Sequence, residues 1–151
     1  MHRLHRVRVL LSVFLLTAFF VSPATAAEET KSLYDRLGGY DAVSAVVDDL
    51  MVRLIKDKQL GRFWAHRGAD GIAREKQLVK SYIAAKAGGS IVFPGRENKL
   101  SHRGMRISEE DWKIFMRHLR ATLDRFQLPS KERNDVIAFI ESTRKDIVEL
   151  P

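Results

Sequence analysis

The chain has 151 residues and no cysteine, which excludes disulfides, thiolate metal sites and cysteine nucleophiles. Its formal net charge is +7, but Arg3, Arg6 and Arg8 supply three of those charges, and the remainder holds 23 basic against 19 acidic residues. So mild a balance does not suit nucleic acid, which asks for a clustered basic face, and no nucleic-acid partner is expected.

The first 26 residues read as a secretory signal. Met1 to Arg8 is basic, Val9 to Val21 is almost wholly apolar, and Ala24-Thr-Ala26 supplies an A-x-A cleavage pattern. The apolar run falls short of the ~20 residues that span a bilayer. An uncleaved anchor is the alternative, and it is the only membrane attachment this reading allows. No cysteine follows the run, so a lipoprotein anchor is excluded. The expected product is a periplasmic chain beginning near Ala27, with residues 27–151 forming one domain large enough for a real core.

Ser32 to Leu37 makes one or two helical turns, closed by Gly38-Gly39. Asp41 can cap a second helix, in which Val43, Val46, Val47, Leu50, Met51, Leu54 and Ile55 recur at helical spacing. Leu60 to Trp64 is a short turn with two adjacent aromatics, Phe63 and Trp64. Such a pair either packs as core or walls a flat cofactor. Asp70 can cap a third helix reaching about Ala87. Its apolar stripe includes Ile72, Ala73, Leu78, Val79, Tyr82 and Ile83, with Lys76 and Gln77 beside it, and Gly88-Gly89 ends it. Ile91-Val92-Phe93 is the only strand-like run.

Phe93 to Ile107 has no clean period apart from one helical turn around Lys99 to His102. It carries a lone histidine with Leu100, Met105 and Ile107 as apolar company. Neutral imidazole is the commonest protein metal ligand and the proximal ligand of many haem irons; a lone loop histidine is more often plain surface. Ser108 then caps a fourth helix, with Asp111 in the capping-box position and Ile107 and Trp112 spaced as a hydrophobic staple. Trp112, Phe115, Met116, Leu119, Leu123 and Phe126 form its apolar face. Pro129 suits the first turn of a fifth helix. The expected class is all-α.

Three segments, in this order and at these separations, resemble the truncated haemoglobins, group I in particular. They are Leu33-Tyr-Asp-Arg-Leu-Gly-Gly39, Gly88-Gly89, and Phe93-Pro-Gly95-Arg-Glu-Asn98-Lys-Leu-Ser-His102. The family's version of the last reads Tyr-Thr-Gly-x-x-Met-x-x-x-His, with the same spacing. The resemblance implies a two-over-two helical sandwich around haem b, with His102 as the iron ligand. Trp64 falls where the family stacks a phenylalanine on the porphyrin, with Phe63 just before it. Met51 falls where many members carry a distal tyrosine, and Gln77 resembles the distal glutamine. The third helix is longer here than in the family, so Val79 is the alternative for that place.

On physical grounds, haem needs an apolar slot with one axial nitrogen. Leu50, Phe63, Trp64, Leu78, Tyr82, Leu100, Ile107, Phe115 and Leu119 can build that slot, or simply be core. Ala73 and Met105 complete the expected cofactor site. Lys76, Arg96 and Lys99 are candidates for pairing with the propionates, and a solvated role competes for each. His118 reads as edge of core and His66 as a solvated loop residue. The implied function is binding of dioxygen or another diatomic gas by a monomer. Two alternatives are a haem enzyme, such as a nitric oxide dioxygenase or a peroxidase-like protein, and a haem-free helical interaction module. No Arg-His pair suggests a peroxidase site. Met51 cannot donate a hydrogen bond, so bound dioxygen is expected to be held loosely unless Gln77 donates one.

Overall fold

The Ser32 hydroxyl accepts the Asp35 N–H at 3.1 Å and starts the first helix of the computed structural model, which describes residues 31–151. The expected signal segment, residues 1–26, lies outside the described residues. Helix α1 (Leu33–Arg36) ends where Gly38, at φ 97°, turns the chain into α2 (Gly39–Lys56). The left-handed conformation suits glycine, so Gly38 takes the N-cap position and Asp41 lies inside the first turn instead of capping it. There its charge still faces the positive end of the helix.

Helix α2 buries Val43, Val47, Leu50, Met51 and Leu54 along one stripe. It packs against both α3 (Ala69–Lys86) and α5 (Glu109–Arg125). A 3₁₀ turn, Leu60–Trp64, joins α2 to α3. Gly68 is the N-cap of α3, so Asp70, like Asp41, falls within the first turn. The only buried residues of α3 are Lys80 and Ala84. Its apolar stripe of Leu78, Val79, Tyr82 and Ile83 is half-buried because it faces an internal cavity, not packed side chains. Lys80 is buried against Asp48 of α2 at 2.8 Å.

Residues 91–93 form no strand, and Val92 is 88% exposed. The expected turn around His102 is α4 (Asn98–His102). Pro129 sits one residue earlier than expected, at the N-cap of α6 (Ser130–Ser142), and a last turn, α7 (Arg144–Ile147), packs on α4. The segment after α7 returns to the loop between α4 and α5. The Glu149 and Leu150 N–H groups both donate to the Ile107 carbonyl, and Glu109 N–H donates to that of Leu150. The Glu149 carboxylate accepts the Gly104 and Arg106 N–H groups at 2.7 and 2.6 Å. This clasp holds Arg106 at φ 56°, a left-handed conformation uncommon for a side-chain-bearing residue.

Asp111 fixes the start of α5. It is 1% exposed and completes the capping box, accepting the Ser108 N–H at 2.9 Å while the Ser108 hydroxyl accepts its own N–H. It also accepts Gln59 at 2.7 Å and a two-pronged contact from Arg62 at 2.9 and 2.7 Å. Burial opposes its ionisation, but Arg62, the Ser108 N–H and Gln59 outweigh that and hold it well below its ordinary 3.8. A depressed carboxylate stabilises the fold above its unfolded value and loses that contribution as pH falls. Asp111→Ala should therefore cost ~3 kcal/mol at pH 7, at the low end for breaking a buried pair because the Arg62 side chain is 47% exposed. Urea unfolding checks this, and the gap between wild type and Asp111→Asn should narrow as pH falls below 3.8.

A candidate cofactor cavity

The helices enclose a cavity of about 590 Å³, within the ~300–1,000 Å³ usual for small-molecule sites. Helix α2 supplies Val47, Leu50, Met51 and Leu54 to its wall; the 3₁₀ turn supplies Phe63 and Trp64. The inward face of α3 runs Gly71, Arg74, Glu75, Leu78, Val79 and Tyr82, at intervals of three and four. Phe115 and Leu119 of α5 and Phe139 of α6 complete it.

His102 reaches this cavity from α4. Its Nδ1 lies 2.8 Å from the Asn98 carbonyl oxygen. A carbonyl only accepts, so Nδ1 carries a proton, and in the neutral ring Nε2 keeps a free lone pair. That is the tautomer an axial metal ligand needs, and the second hydrogen bond fixes its ring orientation. Asn98 is itself held, because its side-chain amide donates to the Tyr82 hydroxyl at 2.7 Å. Tyr82 in turn lies edge-on to Phe93 at 5.2 Å. Among the described residues, no group of three or more His, Asp and Glu side chains could hold a metal by itself. The donor set is thus one imidazole nitrogen in an apolar enclosure, which fits a flat apolar metal complex with one axial position to fill. Arg67, Arg74 and Arg96 line the same cavity and could meet acidic groups on such a ligand.

The structure brings His102, Leu50, Met51, Phe63, Trp64, Tyr82, Met105, Ile107 and Phe115 to one cavity. It does not bring Ala73, Lys76, Gln77 or Leu100 there. On α3 the inward positions are one turn apart from Glu75 and Val79, which turns Ala73 to solvent and Lys76 and Gln77 away from the cavity. Lys76 pairs with Asp48 at 3.2 Å, and the Gln77 amide oxygen accepts the Tyr40 hydroxyl at 3.1 Å. Val79, the alternative for the glutamine's place, is the residue that faces inward. On α4, Asn98, Ser101 and His102 face the cavity and leave Leu100 50% exposed. Of the three basic candidates only Arg96 lines the cavity.

Sequence reasoning missed Arg67, Arg74 and Glu75; once Val79 is set inward, helical spacing alone would have found the last two. His66 is exposed. His118 sits 2.7 Å from the Asp57 carboxylate, and this contact leads the hydrogen bonds that bring Asp57 down to about 2.

The bond from Asn98 to Tyr82 ties α4 to α3. Tyr82→Phe should lower stability by ~1 kcal/mol, or about 4 °C in melting temperature. Amide exchange should quicken at α4 and not at α5. Unchanged exchange at α4 would show that Tyr82 does not hold it.

Comparison with known proteins supports the same assignment. Residues 32–149, from α1 through α7, match the family model of bacterial-like globins. A group 1 truncated hemoglobin of Mycolicibacterium paratuberculosis is 29% identical over 119 residues, covering 79% of this chain and 85% of the relative. One from Chlamydomonas moewusii is 26% identical over 141 residues, covering 89% and 81%. Among solved structures, the truncated hemoglobin of Tetrahymena pyriformis in its Fe(III) form aligns with a TM-score of 0.71 at 22% identity, covering 78% of this chain and 98% of that one. The 2/2 hemoglobin of Synechococcus in the cyanomet state aligns with a TM-score of 0.71 at 23% identity, over the same shares. At those identities the structures speak for the fold, while the family model speaks for membership. The chain belongs to the bacterial-like globin family and has the two-over-two fold of the truncated haemoglobins.

Proposed function

We propose that this haem-binding globin holds haem b in the α2–α3–α5 cavity through His102, and that it works as a monomer binding dioxygen or another diatomic gas. The observation that carries the reading is the Nδ1–H of His102 bonded to the Asn98 carbonyl at 2.8 Å, with Nε2 free in an apolar enclosure. Haem bound there would supply an iron with one coordination position open to gas. The apolar walls would exclude water, and Arg67, Arg74 and Arg96 would meet the propionates. Export belongs to the proposal and is supported by the basic start, the short apolar run and Ala24-Thr-Ala26.

The exported chain should begin at or near Ala27 on N-terminal sequencing and show a Soret band in its ferric, ferrous and carbonyl forms. His102→Ala should lower haem affinity at least about tenfold, in line with loss of a ligand outweighing loss of an outer-shell contact. A wild-type chain that takes up no haem would sink the proposal and favour a haem-free module.

Positions 51, 77 and 79, where the resemblance would put a distal donor, offer bound dioxygen none. Met51 is 3% exposed and faces the cavity, Val79 is apolar, and Gln77 is engaged with Tyr40 outside it. A hydroxyl donor to the partial negative charge on bound dioxygen is worth ~1.5–3 kcal/mol. Met51→Tyr should accordingly slow dioxygen release roughly tenfold to a hundredfold. An unchanged off-rate in stopped-flow measurements would place residue 51 away from the bound gas.

A further inference from the structure

Two carboxylates reach the cavity wall, Asp111 and Glu75. Asp111 is fully occupied by Arg62, Gln59 and Ser108. Glu75 is not. Its Oε1 accepts the Trp64 indole N–H at 3.1 Å, but its Oε2 is shut off from solvent and makes no hydrogen bond. That oxygen lies 3.2 Å from an Arg67 guanidinium nitrogen, an ion pair without hydrogen-bond alignment. A buried acceptor left open is unfavourable for the fold. Glu75 shares its helix face with Val79, one turn on, so the side chain belongs to the part of the cavity wall that α3 supplies.

We propose that Glu75 is a specificity-determining residue that sets the charge selectivity of the gas site, admitting neutral diatomic ligands and disfavouring anions. The inference rests on the haem reading above. The Trp64 bond fixes where the carboxylate stands. The Glu75 side chain is 25% exposed, but Oε2 itself is shielded from water, so the field at that oxygen is less damped than at the surface. Arg67 and Arg74 are the opposing charges, but the Arg67 side chain is 49% exposed and Arg74 is exposed, so water screens both more strongly than it screens Oε2. An anion entering the cavity would meet the Glu75 carboxylate on its wall. Carbon monoxide, being neutral, does not respond to it.

A purely structural role would consist of holding Trp64 and Arg67. An amide at position 75 keeps an oxygen for the Trp64 N–H and removes only the charge, which separates the two roles. Azide affinity of the ferric haem protein and carbon monoxide affinity of the ferrous form would be measured for wild type, Glu75→Gln and Glu75→Asp. Haem content, melting temperature and tryptophan fluorescence would be followed in parallel. Glu75→Gln should bind azide roughly tenfold more tightly, with carbon monoxide affinity within about twofold of wild type. Glu75→Asp, which keeps the charge, should stay near wild type for both ligands. Unchanged azide affinity in Glu75→Gln, or equal changes for both ligands, would overturn the inference while leaving the haem reading intact. Failure of the wild type to load haem would instead overturn that reading. If Glu75→Gln does not fold, Glu75→Met removes the charge and the Trp64 acceptor together, and Trp64→Phe, which removes only that bond, shows how much of the change the bond accounts for.

Discussion

A helical sandwich that keeps about 590 Å³ of apolar volume at its centre cannot close in the usual way. Ordinary interiors are packed nearly as densely as organic crystals, and an apolar void forfeits the contacts its lining would have made. The rest of this chain is arranged around that constraint. Among the described residues the three largest fully buried side chains are Leu123, Thr122 and Asp111, and the last two are polar. They tie elements together around the cavity. Thr122 of α5 donates to Asp49 of α2 at 2.9 Å, and Asp49 also accepts Arg53 and Arg125. Arg36 of α1 bridges Glu132 and Asp135 of α6 at 2.6 and 2.5 Å. Exposed ion pairs contribute little individually, but Asp49 at 10% side-chain exposure and Asp111 at 1% are shielded enough to count.

The same peripheral contacts shape the wall of the cavity. Arg62 grips Asp111 with both guanidinium nitrogens, and its guanidinium carbon lies 4.3 Å from the centre of the Phe63 ring. The capping box of α5 therefore reaches the aromatic wall through a single side chain. Trp64 stands edge-on to Phe63 at 6.3 Å and is held from the other side by Glu75. Two adjacent aromatics in a five-residue turn would otherwise have several ways to settle.

How far the sequence revealed this depended on whether the deciding contact was local. The capping box at Ser108 and Asp111 and the α2 stripe are set within a few residues, and both appear as read. The turn bearing His102 was legible because imidazole chemistry and spacing agree there. Local preference failed where two residues compete for one role. Aspartates at 41 and 70 are good caps, yet glycines at 38 and 68 take the position, Gly38 because the chain turns there through a left-handed φ of 97°. Gln77 could not be placed from its own helix, since Tyr40, 37 residues away, is what engages it. The same holds for Glu149, whose partners Gly104 and Arg106 lie 45 and 43 residues back along the chain. No periodicity announces a contact of that range.

That last contact bears on the order in which the molecule can be finished. The loop after His102 is shaped by Glu149 and Leu150, among the final residues of the chain. During synthesis, α1 to α6 emerge before the segment that pins this loop. The loop after His102 therefore lacks its clasp until residues 149 and 150 have been made, so the histidine's own loop is secured later than the helices that wall the cavity.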